Sequence, residues 1–263
     1  MAMQSPYDQV TKGYVATRPR YPDQWFSKLS ALTSRHALAW DAGTGNGQAA
    51  IAVAEHYERV IATDISEPML KQGIPHPRVQ YLHTPPSLSE DEMVAMLGGE
   101  NSVDLITVAT AVHWFDIPKF YSVARRVLCK PGGVIAVWTY TDMIEVNPEF
   151  EHILRRLREA CKPYQKPGAQ YFFEEYRNLP FPFESVGLGC EGQPAQLEMP
   201  REMSFETLLS VLRTASAVAT AKQHGVDLLT DDVVKEFETA WGGSDLVRTV
   251  KFKVFMLAGT VKA

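Results

Sequence analysis

The feature that most constrains this chain is a short apolar stretch that runs into a glycine-rich loop and then into a helix-forming stretch. The stretch reads Leu38-Ala39-Trp40-Asp41-Ala42-Gly43-Thr44-Gly45-Asn46-Gly47 and continues with the alanine-rich run 48–55. Glycines let the backbone turn sharply and come close to a ligand, because they have no Cβ. The helix that follows begins with N–H groups that have no partner within the helix. A strand, a loop and a helix in this order predict a nucleotide-type ligand at the loop.

The glycine spacing and two nearby acids narrow the choice of ligand. The dinucleotide fingerprint is G-x-G-x-x-G, whereas the third glycine here stands one residue short of that pattern. Asp41 would repel a phosphate but suits a cationic or amine-bearing ligand. A second acid, Asp64, ends the next apolar stretch, where a carboxylate commonly binds ribose hydroxyls. The loop and the two acids favour S-adenosylmethionine, which carries a ribose and an ammonium group.

Together with Lys130-Pro131-Gly132-Gly133, these residues resemble the class I methyltransferases that use S-adenosylmethionine. Two further stretches are similar to the small-molecule methyltransferases related to trans-aconitate methyltransferase, in particular to their plant members. They read Tyr14-x-x-x-Arg18-Pro19-x-Tyr21-Pro22 and Ala111-Val112-His113-Trp114-Phe115-Asp116. The resemblance covers nearly the whole chain. It implies methyl transfer from S-adenosylmethionine to an oxygen or nitrogen atom of a small molecule, with S-adenosylhomocysteine as the product.

Strand-like and helical patterns alternate between residues 22 and 139, which is typical of a doubly wound α/β fold. Strands are predicted over Ala37–Trp40, Val60–Thr63, Val79–Leu82, Val103–Val108, Val134–Trp138 and Val247–Ala258. Helices are predicted from Pro22, over Lys119–Leu128, from Asn147 to about Cys161, over Ser204–Thr214 and over Asp231–Trp241. The resemblance implies a Rossmann-like sheet of seven mostly parallel strands, in which the last strand runs antiparallel.

We expect a single methyltransferase domain over residues 1–263. An N-terminal arm and helix take residues 1–35, and the cofactor-binding core takes residues 36–140. Lid and substrate-side elements follow over 141–240, and the final strand covers 247–260. The lid region includes a stretch rich in proline and aromatic residues between 163 and 183. This stretch is either a lid over the ligand or a surface connector whose aromatic rings pack against the sheet.

Ligands of open α/β sheets bind beyond the carboxyl ends of the strands, so the candidate cofactor residues are sought there. They are Asp41, Gly43, Gly45, Gly47, Asp64, Ile65, Thr84 and Ala109. The resemblance implies that the N-terminal arm folds over the cofactor, which adds Tyr14 and Arg18. A structural ion pair at the sheet edge is the alternative for Arg18.

The candidate substrate residues follow the fourth strand or come from elements expected near it. They are Tyr21, Thr110, His113, Trp114, Tyr140 and Ala215. His113 is the candidate catalytic residue, because an imidazole can orient a carboxylate or accept a proton. Trp114 either lines the methyl cavity or belongs to the core. Thr110 and Ala215 stand where plant relatives tend to have Gln and Trp, which predicts an altered acceptor pocket; sequence drift is the alternative.

Composition sets limits on partners and location. The net charge of −5 argues against nucleic acid as the main partner. No apolar stretch is long enough to span a membrane, and no secretory signal is visible. Three widely spaced cysteines are typical of reduced thiols, so we expect a cytoplasmic protein without a metal site.

Three aspects of function stay open at this point. The acceptor is a carboxylate or an aromatic, alkaloid-like compound. A methyltransferase-like protein that binds the cofactor without methyl transfer, or that catalyses a non-methylating reaction, is one alternative, and a nicotinamide-dependent oxidoreductase is another. The oligomeric state cannot be read from the sequence.

Overall fold

The computed structural model describes residues 21–262, with the side chain of Asp142 excepted. The elements up to the fifth strand are α1 Asp23–Ser30, β1 Leu38–Ala42, α2 Gln48–Ala54, β2 Arg59–Asp64, α3 Glu67–Leu70, β3 Val79–His83, α4 Glu90–Met96, β4 Leu105–Ala109, a 3-10 turn Val112–Trp114, α5 Ile117–Val127 and β5 Val134–Ile144. The remaining elements are α6 Pro148–Cys161, a 3-10 turn Lys162–Tyr164, α7 Ala169–Phe173, β6 Glu184–Ser185, β7 Ala195–Ser204, α8 Phe205–Arg213, α9 Ser216–Gln223, α10 Asp231–Trp241 and β8 Val247–Thr260. None of the helices in this part of the chain is long and apolar enough to cross a membrane.

The strands form one mixed sheet in the order β3-β2-β1-β4-β5-β8-β6, and β7 pairs with β8. The first five strands are parallel, and β8 runs antiparallel to β5. The mostly parallel α/β sheet with a late antiparallel strand is therefore confirmed. Within residues 21–262 the sheet has eight strands, whereas seven were expected.

The central strand β1 shows why the sheet is covered on both faces. All five of its residues are buried, and their side chains alternate between two apolar clusters. Ala39 faces the cluster formed with α1, α2, α6 and α8 to α10, whereas Leu38 and Trp40 face the cluster formed with α4 and α5. A strand buried on both sides reads as a continuous apolar run, which is the pattern that the sequence shows.

The amino end of β1 is held by a buried acid that has no part in the loop. Asp104 accepts hydrogen bonds from the backbone N–H groups of Ala37 and Leu38 at 2.8 and 3.1 Å. The Arg35 side chain donates to the same carboxylate at 3.2 Å. This contact fixes the register of β1 beside β4, and so fixes where the loop after β1 begins.

Several predicted elements are confirmed with small shifts of their ends. α1 buries Trp25, Phe26 and Leu29, as its periodicity predicts. β4 begins at Leu105 instead of Val103, because Val103 forms an isolated bridge to Leu128. β5 continues to Ile144, where it still pairs with β8, and is thus longer than predicted.

The region 141–240, expected to hold lid and substrate-side elements, contains the strand β7, which the sequence patterns did not predict. Its side chains alternate in burial, with Met199 and Met203 inward and charged residues between them. Pro200 lies within it, and a proline inside a strand pattern argues for an edge position. The half-exposed character of β7 explains why its alternation is weak in the sequence.

The aromatic stretch between residues 163 and 183 packs in two different places. We call the sheet face covered by α1, α2, α6 and α8 to α10 the first face, and the face covered by α4 and α5 the second face. Tyr176, Phe181 and Phe183 are buried in the cluster on the second face, as a packed connector would be. By contrast, α7 contacts the turn Val112–Trp114, which lies just beyond β4. The stretch therefore reaches from the core to the carboxyl edge of the sheet.

Candidate active site

Asp41 lies at the carboxyl end of β1 and connects the glycine loop to β4. Its carboxylate accepts hydrogen bonds from the hydroxyls of Thr107 at 2.6 Å and of Thr44 at 2.5 Å. The residue is 1% exposed. Burial raises the pKa of Asp41 to about 6, and the charge of Asp64 adds to the rise, although both threonine bonds oppose it. A cationic group placed beside this carboxylate would stabilise its charged form.

The loop itself comes into van der Waals contact with the turn after β4. Gly43, Gly45 and Gly47 all have positive φ, which favours glycine. A Cβ at Gly43 would lie 2.6 Å from the Cβ of Ala111 and 3.0 Å from the ring of Phe115. Because Gly43 has no side chain, the glycine loop 43–47 and the stretch 111–116 lie in direct contact.

The second acid holds the loop from the other side. Asp64 accepts hydrogen bonds from the backbone N–H groups of Gly45 and Ser66, both at 2.8 Å. Thr84 donates its backbone N–H to the carbonyl of Asp64 at 2.9 Å, and Ile65 next to Asp64 is exposed. Ala109 ends β4 beside these strand ends. The predicted cofactor residues from 41 to 109 thus lie along one edge of the sheet, whereas Tyr14 and Arg18 lie outside the described residues.

Asn46 is a member of this site that the sequence did not reveal. It is 6% exposed, and its Nδ2 has no hydrogen-bond partner within the described part of the chain. A buried amide donor of this kind can donate a hydrogen bond to an acceptor group of a ligand. Two carboxylates and one amide donor fit the ammonium, the ribose hydroxyls and the carboxylate of S-adenosylmethionine. The same acids would repel a pyrophosphate.

Tyr21 and Thr110 meet at the end of β4, as two of the predicted substrate residues. Their hydroxyls are 3.1 Å apart, and the Thr110 N–H donates to the carbonyl of Trp138 at 2.9 Å. Thr110 has a φ of +55°, which is rare for a β-branched residue. The ring of Tyr21 also packs edge-on against Trp138, with the ring centres 5.4 Å apart. These contacts hold Thr110 in an otherwise unfavourable conformation.

His113 and Trp114 follow in the 3-10 turn, with their ring centres 4.6 Å apart. His113 is buried, and its Nδ1 lies 3.1 Å from the hydroxyl of Tyr176. The Nε1 of Trp114 is buried without a hydrogen-bond partner in residues 21–262. The imidazole of His113 and the indole N–H of Trp114 therefore lie close together just beyond the carboxyl end of β4. They are next to the contact between this turn and the glycine loop.

Tyr140 and Ala215 lie in other surroundings. Tyr140 is buried in the first-face core, with its ring centre 5.6 Å from that of Phe252. Ala215 is half-buried and precedes α9, whose contacts are with α6, α8 and the turn Lys162–Tyr164. Their roles in substrate binding stay predictions.

A cleft of about 410 Å³, which no sequence pattern indicates, lies beside α6 and α7. It is lined by Met143, Arg155, Arg158, Glu159, Lys162, Gln165 and Phe173. The ring of Phe173 is 5.1 Å from that of Phe172, which in turn is 5.9 Å from the ring of His113. The cleft is thus separated from His113 by two aromatic rings. Within residues 21–262, no cluster of three metal-ligating side chains occurs.

Comparisons with known proteins show the family to which this chain is similar. A profile described as a methyltransferase domain matches residues 40–137. A structure described as a type II methyltransferase from Anaeromyxobacter dehalogenans is 33% identical, with a TM-score of 0.76, and the match covers 92% of this chain and 97% of that one. A protein described as a methyltransferase from Dictyostelium discoideum is 29% identical over 95% of this chain and 93% of its own length. The methyltransferase ptaI of Pestalotiopsis fici is 28% identical over 70% of this chain, which spans 58% of that relative.

The raised pKa of Asp41 predicts a pH dependence of stability. The unfolded chain loses this proton near the ordinary value of 3.8, whereas the folded protein keeps it up to about 6. The free energy of unfolding should therefore fall between pH 4 and pH 6, by about 3 kcal/mol from this group. Asp41→Asn removes the titration, so its stability relative to the wild type should increase by about that amount across the window.

Urea unfolding of the ligand-free protein at pH 4, 5, 6 and 7 measures this difference. Asp245→Asn, at an exposed position, serves as the control and should follow the wild-type curve. Parallel curves for Asp41→Asn and the wild type would contradict a raised pKa of the buried Asp41 carboxyl.

Proposed function

Because this chain belongs to the methyltransferase family, we propose that it transfers a methyl group from S-adenosylmethionine to a small molecule. S-adenosylmethionine is the methyl donor of the family. The methyl-accepting atom is an oxygen or a nitrogen, and the preferred acceptor carries an acidic group. The resemblance to the trans-aconitate branch in its plant form is part of this proposal.

The contact at Gly43 is the observation that carries the proposal. Methyl transfer requires the accepting atom and the methyl carbon to be held in line at near-attack distance. The donor loop and the acceptor turn should therefore share a wall. Ala111 and Phe115 lie directly against the backbone of Gly43, which supports a donor site and an acceptor site of this kind.

The side chains around the loop have separate tasks in this mechanism. When bound, S-adenosylmethionine supplies an electrophilic methyl group next to a positive sulfur. Asp41 and Asp64 bind the polar ends of the donor, while Trp114 and Phe115 exclude water and offer aromatic faces to a cation. His113 is the polar side chain that would orient the acceptor. An acceptor carboxylate needs no base, whereas a phenol or an ammonium would need to lose a proton.

The basic cleft, which is two aromatic rings away from His113, supports an acceptor whose acidic group lies at a distance from the atom that receives the methyl group. Arg155, Arg158 and Lys162 line it against a single acid, Glu159. The guanidinium of Arg158 is fixed by a hydrogen bond to the Phe173 carbonyl at 3.1 Å and by its position 4.7 Å from the ring centre of Phe173. Within residues 21–262, Arg155 and Lys162 form ion pairs with Glu151 and Glu159, which lie about one helical turn away along the chain, and such pairs near the surface are weak enough to exchange for a ligand. The same aromatic rings would also suit an aromatic acceptor.

The test of the proposed function is transfer of an isotope-labelled methyl group. The purified protein is incubated with methyl-labelled S-adenosylmethionine and a small-molecule cell extract, and the products are identified by mass spectrometry. We expect a labelled small product that depends on the protein. A protein that binds the donor while no labelled product forms across broad extracts would be a binding protein, and the proposal would fail.

The preference for an acid is tested in the cleft. Arg155→Gln with Lys162→Gln should raise the KM of an acidic acceptor found in that experiment by about tenfold, because two cations are lost. Arg156→Gln is the matched control, since Arg156 lies on the same helix and pairs with Glu236 instead of lining the cleft. Steady-state kinetics should show an unchanged KM for the donor in all three proteins. Equal acceptor KM values for the cleft variant and the control would sink the preference.

A further inference from the structure

His113 is held in a tight aromatic setting. It is 5% exposed, and the ring centres of Trp114, Phe172 and Tyr176 lie within 4.6, 5.9 and 6.1 Å of its own. A buried imidazole has two nitrogens that differ in their protons, and the hydrogen bond at one decides which of them is protonated. The partner of Nδ1 therefore decides what His113 can do.

That partner is the hydroxyl of Tyr176, at 3.1 Å from Nδ1. Tyr176 is fully buried and comes from the segment after α7, 63 residues further along the chain. The two residues thus belong to separate parts of the fold that meet at this hydrogen bond.

The backbone around Tyr176 is shaped for this contact at an energetic cost. Glu175 and Tyr176 have φ values of +59° and +61°, although neither is a glycine. Non-glycine residues keep such angles only where the surrounding structure imposes them, and they concentrate at functional sites. The Tyr176 N–H donates to the carbonyl of Tyr171 at 2.8 Å, which closes the turn.

The start of the same segment presses on the backbone of His113. A Cβ at Gly168 would overlap the carbonyl oxygen of His113, so only a glycine fits there. The segment 168–176 therefore contacts both the backbone of His113, at Gly168, and its ring, at Phe172 and Tyr176. Contacts of both kinds from one segment fix the place and the rotation of the imidazole.

We propose that Tyr176 is a positioning residue for His113, and that its hydroxyl donates to Nδ1 and places the imidazole proton on Nε2. A phenol is a good donor and the unprotonated nitrogen of a neutral imidazole is a good acceptor, which sets this direction. In that tautomer Nδ1 accepts a hydrogen bond, and Nε2 is the donor of the ring. His113 then holds an oxygen of the acceptor by a hydrogen bond and does not remove a proton from it. This inference rests on the proposed function for the meaning of His113, but the tautomer itself does not.

The tautomer is measured in the protein without any acceptor. Nitrogen NMR of histidine-labelled protein gives separate signals for protonated and unprotonated ring nitrogens, and His113→Asn identifies the signals of residue 113. We expect the wild type to show a protonated Nε2 and an unprotonated Nδ1, and Tyr176→Phe to show a mixture of the two tautomers. A protonated Nδ1 in the wild type, or an unchanged pattern in Tyr176→Phe, would overturn the proposal.

Kinetics then separate positioning from a merely structural role. Tyr176→Phe should lower kcat by about tenfold with the donor KM unchanged, as the loss of one hydrogen bond would. The double variant Tyr176→Phe with His113→Asn should be no slower than His113→Asn alone, because Tyr176 acts through His113. Losses that multiply would show that Tyr176 acts independently of His113 and would contradict the proposal.

The control is Tyr121→Phe. Tyr121 is buried in the same second-face cluster, and its hydroxyl makes no hydrogen bond within the described part of the chain. Its loss should leave kcat and the histidine signals unchanged. If the wild type forms no methylated product, the proposed function fails, and the NMR experiment still decides the positioning of His113.

Discussion

The missing side chain at Gly43 is the constraint on which the rest of the site depends. Any Cβ there would collide with Ala111 and push the glycine loop away from the turn that carries His113. The loop is held against this turn by hydrogen bonds to two acids, from Thr44 to Asp41 and from the Gly45 N–H to Asp64. One bare backbone position and two carboxylates therefore place the glycine loop and the turn after β4 side by side.

The same two carboxylates make the carboxyl edge of the sheet electrostatically unfavourable when no cation is bound there. Asp41 is buried close enough to Asp64 for the second charge to raise its pKa further. The threonine hydroxyls relieve part of this cost but bring no positive charge. A cationic ligand would relieve more, and this explains why such an unfavourable arrangement suits a sulfonium and an ammonium better than a phosphate.

Elements that depend on neighbouring residues can be predicted from the sequence. Parts of the site that form only when the fold brings distant residues together cannot. The strand–loop–helix unit, the helix α1 and the positions of the first five strands along the chain follow from short-range patterns of apolar residues and glycines. The sequence assigns no role to Asn46 or Tyr176. The burial of the Asn46 amide and the hydrogen bond between Tyr176 and His113 depend on residues that are distant in the chain. β7 was missed because an edge strand with charged residues and Pro200 has little of the pattern of a buried strand. The basic cleft combines residues of α6 with Met143 and Phe173, which no local pattern connects.

The central claim is that the loop 43–47 and its two acids form the donor site. Calorimetric titration of the purified protein with S-adenosylhomocysteine tests it most directly, since the demethylated product makes most of the same contacts without reacting. We expect the wild-type protein to bind one molecule per chain with a saturable titration curve. We expect this binding to be lost when Gly43 is replaced by Ala. A titration of the wild-type protein that gives only the heat of dilution would contradict it.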